Sequence, residues 1–141
     1  MVSPLTRVMM RRPEAPGGSS SDVTIQGPQW TAGKAFDTSG PCGPALVTPD
    51  EVPDPQNLRI TSRLNGETMQ DSNTSDLIFS TAKTIALLSE FMTIEPGDVI
   101  ATGTPSGVAH ARKPPAWMKA GDKVEVEVEK IGVLANPIVD E

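Results

Sequence analysis

The sequence predicts an α+β fold that is rich in strands, with a largely antiparallel or mixed sheet and one clear helix. Three observations carry this expectation. Two stretches, one from Leu58 to Leu64 and one from Lys123 to Glu129, alternate apolar and polar residues with the period of a half-buried strand. One stretch, about 80–92, has helical spacing instead. No repeating strand–helix–strand alternation runs along the chain, which argues against a doubly wound parallel sheet.

The elements follow in chain order. Residues 1–27 are rich in Pro, Gly and Ser without sustained periodicity and are expected to be a poorly ordered lead. Organised sequence begins near Pro28. "PALVT", Pro44 to Thr48, is a short apolar run between breakers and predicts a strand. "PDEVPDPQN" carries three prolines and three acids and is a loop. In "LRITSRLNGETMQ", Leu58, Ile60, Ser62 and Leu64 face one way, and Arg59, Thr61 and Arg63 the other. Asn65-Gly66 tolerates the positive φ angles of a type I′ turn, so a β-hairpin is expected there.

The polar "DSNTSD" leads to "DLIFS", which suits either a strand or a helix approach. In "STAKTIALLSEFM", Ala82, Ile85, Leu88 and Met92 share one stripe, with Leu87 and Phe91 beside it. Ser80 or Thr81 can cap this helix. Pro96-Gly97 stops it. "DVIATGTPSGV" then predicts a short strand entering a small-residue loop, and "RKPPAWMKAGD" a rigid connector. Val124, Val126 and Val128 alternate with Glu125, Glu127 and Glu129, which predicts a strand with one wet face. "EKIG" turns the chain and "VLANPIV" returns it. The glutamate row is expected to be a solvated sheet face rather than a metal site.

Composition narrows the function. The chain has 141 residues and a net charge of −6, and no Lys/Arg stripe offers a nucleic-acid footprint. No apolar run approaches the roughly 18 residues a membrane span needs. The single cysteine, Cys42, excludes an intrachain disulfide and suits a reducing compartment. The expected location is cytoplasmic. A mitochondrial destination is the alternative, because the N-terminal stretch has arginines and few acids. Aromatics make up 4% and tyrosine is absent, so Val, Ile, Leu and Met must build the core.

Few residues carry chemistry. "ATGTPSGV", Ala101 to Val108, follows an apolar run with two threonines, two glycines and a serine. Small residues let a ligand reach the backbone, and N–H and hydroxyl groups can hold a carboxylate or phosphate. The spacing is not that of a Walker loop, and Ser106 does not sit in a nucleophile elbow. His110 and Cys42 lack nearby partners in sequence that would activate them. Lys34 stands alone between Gly33 and Ala35, either as a solvated charge or as a cation aimed into a site.

Four blocks together carry a resemblance. They are "GPQWTAGKAFDTSGPCGPALVTPDEVPDPQNLRI", "LNGETMQDSNTSDLIFS", "FMTIEPGDVIATGTPSGV" and "RKPPAWMKAGDKVEVEVEKIGVL". In this order and spacing they resemble the fumarylacetoacetate hydrolase superfamily over about 28–139. The connector is most similar to its fumarylacetoacetate hydrolase domain-containing subgroup. The resemblance implies the family's mixed β-roll, here incomplete, and pairing as a homodimer or with a full-length relative. It implies a small oxo-acid or 1,3-dicarbonyl substrate held on Mg²⁺ or Mn²⁺, with the ion stabilising an enolate during C–C hydrolysis, decarboxylation or isomerisation.

On the matching positions, Lys34 corresponds to the family's active-site lysine. Thr104 corresponds to the threonine that holds a substrate carboxylate, with Gly103 and Gly107 keeping the loop backbone accessible. Gln29 or Gln26 stands for the family's glutamine. Asp22 resembles the third metal ligand. The other two ligands, a Glu-x-Glu pair, have no counterpart in Met1 to Ser21, nor does the family's Glu–His dyad. The segment between Asp22 and Lys34 is shorter than in relatives. The chain is therefore expected to be a C-terminal portion of the catalytic domain, truncated at its N-terminal side, without a full metal site. The alternatives are a non-catalytic, dimerising or regulatory fragment and a simple anion-binding module.

Overall fold

A computed structural model describes residues 10–12 and 40–140. Among the described residues five strands form one mixed sheet in the order β1-β5-β4-β2-β3. The strands are β1 (Met10–Arg12), β2 (Arg59–Leu64), β3 (Glu67–Asn73), β4 (Lys123–Val128) and β5 (Gly132–Asp140). Among the described residues there is one α-helix, α1 (Thr81–Ser89), which lies between β3 and β4 in sequence. All neighbours pair antiparallel except β1 and β5, which are parallel. The predicted α+β, strand-rich class is what the molecule has. β1 lies within the lead that composition suggests is poorly ordered, so the sheet recruits three residues from it.

Both hairpins form where the turn residues sit. Asn65 and Gly66 adopt φ of 52° and 86°, the left-handed pair a type I′ turn needs. The alternation along β2 sorts its two faces as expected. Leu58, just before β2, is 1% exposed and forms the core with Val52 and Ile138. On the opposite face Arg63 bonds Glu125 and Glu127 of β4 at 3.2 and 2.8 Å. The glutamate row is thus an ion-paired sheet surface. The Lys123 ammonium and then the Arg63 guanidinium hold the Glu125 carboxyl below the usual range.

α1 is one turn shorter than 80–92 and has no buried residue. Ser80 is its cap, with its hydroxyl accepting from the Lys83 amide at 3.3 Å. Gln56 holds its first turn: the amide oxygen accepts from Thr81 N at 3.0 Å, and the amide nitrogen donates to Thr81 Oγ at 2.9 Å. Polar bonds rather than apolar packing therefore tether the helix. "DLIFS" is the helix approach, entered through a 3-10 turn at Thr74–Asp76.

Two expected strands are corrected. Pro44 to Thr48 is irregular, and Asp98 to Ala101 is a loop. A strand needs a ladder partner, and neither run has one among the described residues. Prolines 44 and 49 also remove donors from the first run. Side chains order it instead, since Val47, Pro49, Val52, Leu58 and Ile131 close a small apolar pocket. Val99 in the second run is exposed.

Candidate functional site

The Thr-Gly-Thr-Pro-Ser-Gly loop lies against β3. Gly103 and Gly107 take φ of 101° and 103°, which bends the loop twice. At Gly107 the approach is close. An added Cβ would lie 2.3 Å from the Met69 carbonyl oxygen and 3.1 Å from the Gln70 Cγ. Gly103 is different, with nothing within 4 Å of an added Cβ. Its backbone is open to solvent and to a ligand.

Two side chains clamp the loop. Arg112 donates to the carbonyl oxygens of Gly107 at 3.1 Å and Met69 at 2.5 Å, joining loop and strand. Gln70 donates from Nε2 to Thr104 Oγ at 2.9 Å and to the Pro105 carbonyl at 2.8 Å. On its other side, Gln70 Oε1 accepts from the Ser62 hydroxyl at 2.9 Å. Thr104 is exposed, and among the described residues its hydroxyl hydrogen has no acceptor. The loop therefore presents a hydroxyl donor and an open glycine backbone on a braced support. That arrangement suits an anionic oxygen.

Of the site residues expected from sequence, Thr104 and Gly103 meet in this loop, and Gly107 anchors it. Lys34, Gln29, Gln26 and Asp22 lie outside the described residues, as does the side chain of His110. Cys42 is half-buried and unpaired. Gln70 and Arg112 were not singled out by the sequence. A signal for Gln70 exists: Ser62 interrupts an apolar face, and a polar residue there demands a partner from the paired strand. Nothing in "ARKPP" distinguishes Arg112.

A groove of about 470 Å³ on the charged sheet face is lined by Arg59, Arg63, Thr61, Thr68, Glu127 and Glu129. Its cations are committed, Arg59 to Asp71 and Arg63 to Glu125 and Glu127. Among the described residues no three His, Cys, Asp or Glu side chains converge as metal ligands, and no helix is long and apolar enough to cross a membrane.

Fold and loop together define a strand-rich α+β domain with a threonine- and glycine-rich turn braced against a hairpin. The family profile described as fumarylacetoacetate (FAA) hydrolase C-terminal matches residues 19–139, and the chain belongs to that family. It is 54% identical over 113 residues to the mitochondrial oxaloacetate tautomerase FAHD2A of Bos taurus, covering 80% of this chain and 36% of that one. The chain thus spans about a third of the length of the curated relatives it matches. The solved fumarylacetoacetate hydrolase of Exiguobacterium antarcticum superposes with a TM-score of 0.82 at 38% identity, over 86% of this chain and 43% of that one. Maleylpyruvate hydrolase of Sphingobium sp. SYK-6, in complex with manganese(II) and pyruvate, gives 0.67 at 36% identity, over 74% and 37%.

Proposed function

We propose that this chain holds the carboxylate end of a small 2-oxo acid or 1,3-dicarbonyl acid, within an enzyme whose reaction proceeds through an enolate. The observation that supports the reading is the Thr104 hydroxyl, braced by Gln70 and without an acceptor among the described residues, beside Gly103, where an added Cβ meets nothing within 4 Å. A relative named for oxaloacetate tautomerisation and one solved with pyruvate support this substrate class. C–C hydrolysis, decarboxylation and tautomerisation all develop charge on the same oxygens, so one loop serves each. In this reading residues 28–139 are the C-terminal part of a catalytic domain. Lys34 adds a positive charge at the enolate oxygens, Gln29 contacts substrate, and Asp22 is a candidate metal ligand. The mitochondrial relative makes a mitochondrial location part of the proposal.

Mg²⁺ or Mn²⁺ is the proposed ion, and the described residues do not by themselves fit one. A hard cation takes several oxygen ligands, and one aspartate supplies too few. Calorimetric titration of the full chain with MnCl₂ or MgCl₂ should therefore give dissociation constants in the millimolar range or weaker. A micromolar constant would sink the incomplete-site proposal. Enol absorbance assays with oxaloacetate and an acylpyruvate, with and without Mg²⁺, test turnover. Where turnover is seen, Lys34→Ala should abolish it, and unchanged activity would remove Lys34 from the site.

A second reading keeps the fold without turnover: a non-catalytic piece that pairs with a full-length family chain. The apolar residues flanking α1 favour it, since Ile78 and Phe91 are 92% and 74% exposed and Met92 and Val99 are exposed as well. Co-expression with a full-length relative followed by light scattering should show a stable complex that Phe91→Asp weakens at least tenfold. Separate elution of the two chains would end this reading.

A further inference from the structure

We infer that Gln70 is a positioning residue of the carboxylate site, whose amide directs the Thr104 hydroxyl hydrogen outward and so selects a ligand with an anionic end. The inference rests on the carboxylate-binding reading of the Thr104 loop.

The orientation of the Gln70 amide follows from chemistry. The Pro105 carbonyl can only accept, so the group 2.8 Å away must be the amide nitrogen. Both Nε2 hydrogens are then used, one on Pro105 O and one on Thr104 Oγ. The amide oxygen faces the Ser62 hydroxyl, which must donate to it. Ser62 and Gln70 are direct partners in the β2–β3 ladder, so the sheet register holds this pair. A hydroxyl that receives one hydrogen bond on its oxygen turns its own hydrogen elsewhere. For exposed Thr104 that direction is the solvent side, where a ligand oxygen would lie.

The result is a chain of donors running one way: Ser62 to Gln70, Gln70 to Thr104, Thr104 to the ligand. Such chains polarise in the same sense and strengthen the last donor. A staple would hold the loop equally well with its polarity reversed, but this function would not survive the reversal. A glutamate at position 70 shows the difference. Ionised, it accepts the Thr104 hydrogen and faces the Pro105 oxygen with negative charge. Protonated, it is again a donor. Among the described residues the nearby charged groups are Arg112, which braces Met69 and Gly107, and Asp76, bound to the Ser72 hydroxyl on the same strand. Hydrogen bonds from Ser72 and the Asn73 amide hold the Asp76 carboxyl below its ordinary range. Asp76 therefore keeps its charge between pH 7 and pH 5.

The experiment is pyruvate titration of the full chain in magnesium buffer, followed through the Thr104 amide and methyl NMR signals. At pH 7, Gln70→Glu should weaken binding at least tenfold, and Gln70→Ala only a few-fold. As pH falls to 5 the Gln70→Glu affinity should recover several-fold, while the wild type and Gln70→Ala change little. Recovery within one sample also shows that the variant is folded. Equal losses in both variants with no recovery would make Gln70 a mere staple and overturn the inference. Wild-type affinity in Gln70→Glu would overturn it too, leaving the carboxylate reading intact. No response of the wild type to pyruvate would overturn that reading, and this inference with it.

Discussion

Gly107→Ala is expected to lose about 3 kcal/mol or more of stability, while Gly103→Ala loses about 1–2 kcal/mol. Both glycines have nearly the same backbone, with φ of 103° and 101°. A left-handed φ alone costs an L-residue on the order of 1–2 kcal/mol, and that part is common to both. The difference is the neighbour. At Gly107 the new methyl would meet the Met69 carbonyl oxygen at 2.3 Å, closer than a real Cβ approaches anything. The oxygen is backbone in β3 and is held by the Arg112 guanidinium, so it is not free to move. Relief requires the loop to lift off the strand. Lifting breaks the Arg112 bond to Gly107 O and the Gln70 bonds to Thr104 and Pro105. Urea unfolding of the two variants beside the wild type measures the gap. Equal midpoints for both alanine variants would mean that the loop does not lie on β3 in solution.

This contrast shows what the sequence could and could not disclose. "ATGTPSGV" announces a loop a ligand can approach, because glycine and hydroxyl residues cluster after an apolar run. It does not disclose that one glycine is open and the other is wedged. That distinction depends on β3, more than thirty residues earlier in the chain. Gln70 is the same case. Its role comes from the pairing of Ser62 with Gln70, which depends on a register shift between Ser62 and Arg63 that displaces the strands by one residue from the register set at the turn. The turn was legible, since Asn-Gly is a local signal, but the irregularity that brings these two polar residues opposite each other has no such local signal.

The elements divided on similar lines. β2, β3, β4 and β5 were legible because alternation and turn residues agree. "PALVT" and "DVIA" carry apolar residues in strand-like runs and form no ladder. Periodicity reports which face a strand would bury and says nothing about whether a partner strand exists. α1 makes the point for helices. Its apolar stripe is where the spacing puts it, yet the helix buries no residue. The stripe fixes the helix and leaves open what would cover it. β1 was illegible for the opposite reason. Three residues are too few to show a period, and their pairing comes from the edge of β5.

The second large effect is expected where the hairpin tip meets the connector. Asn65 supplies both a φ of 52° and an amide used at both ends. Its Nδ2 donates to Asp122 Oδ1 at 2.9 Å, and its Oδ1 accepts from the Lys123 amide at 2.8 Å. Asp122, 6% exposed, also accepts from the Lys119 amide at 2.8 Å, and its carbonyl accepts from the Ile138 amide at 2.8 Å. The Asn65 amide and the Asp122 carboxylate thus join the hairpin tip to the connector, and the Asp122 carbonyl ties both to β5. Asn65→Ala should cost about 2 kcal/mol at pH 7, combining lost hydrogen bonds with strain at positive φ. Asn65→Gly keeps the φ and loses only the bonds, so about 1 kcal/mol is expected. The pH dependence separates the charge from the turn. The Asn65 side chain, and then the Lys119 amide, hold the Asp122 carboxyl below its ordinary value. A lowered folded pKa means the contribution is complete above about pH 4 and is lost as pH falls through the lower folded value. Asp71, Asp76 and Glu125 are lowered too, so the wild type loses stability in acid for several reasons. The Asp122 part is therefore the difference between curves. Asp122→Asn should be less stable than the wild type at pH 7, and the gap should narrow between pH 4 and pH 2.5. Asn65→Gly should narrow its own gap over the same window, because it removes the largest cause of the shift. Thermal melts at pH 7, 5, 4, 3 and 2.5 give the comparison. Parallel curves for the wild type and Asp122→Asn would show that the carboxylate's charge has no part in holding the tip.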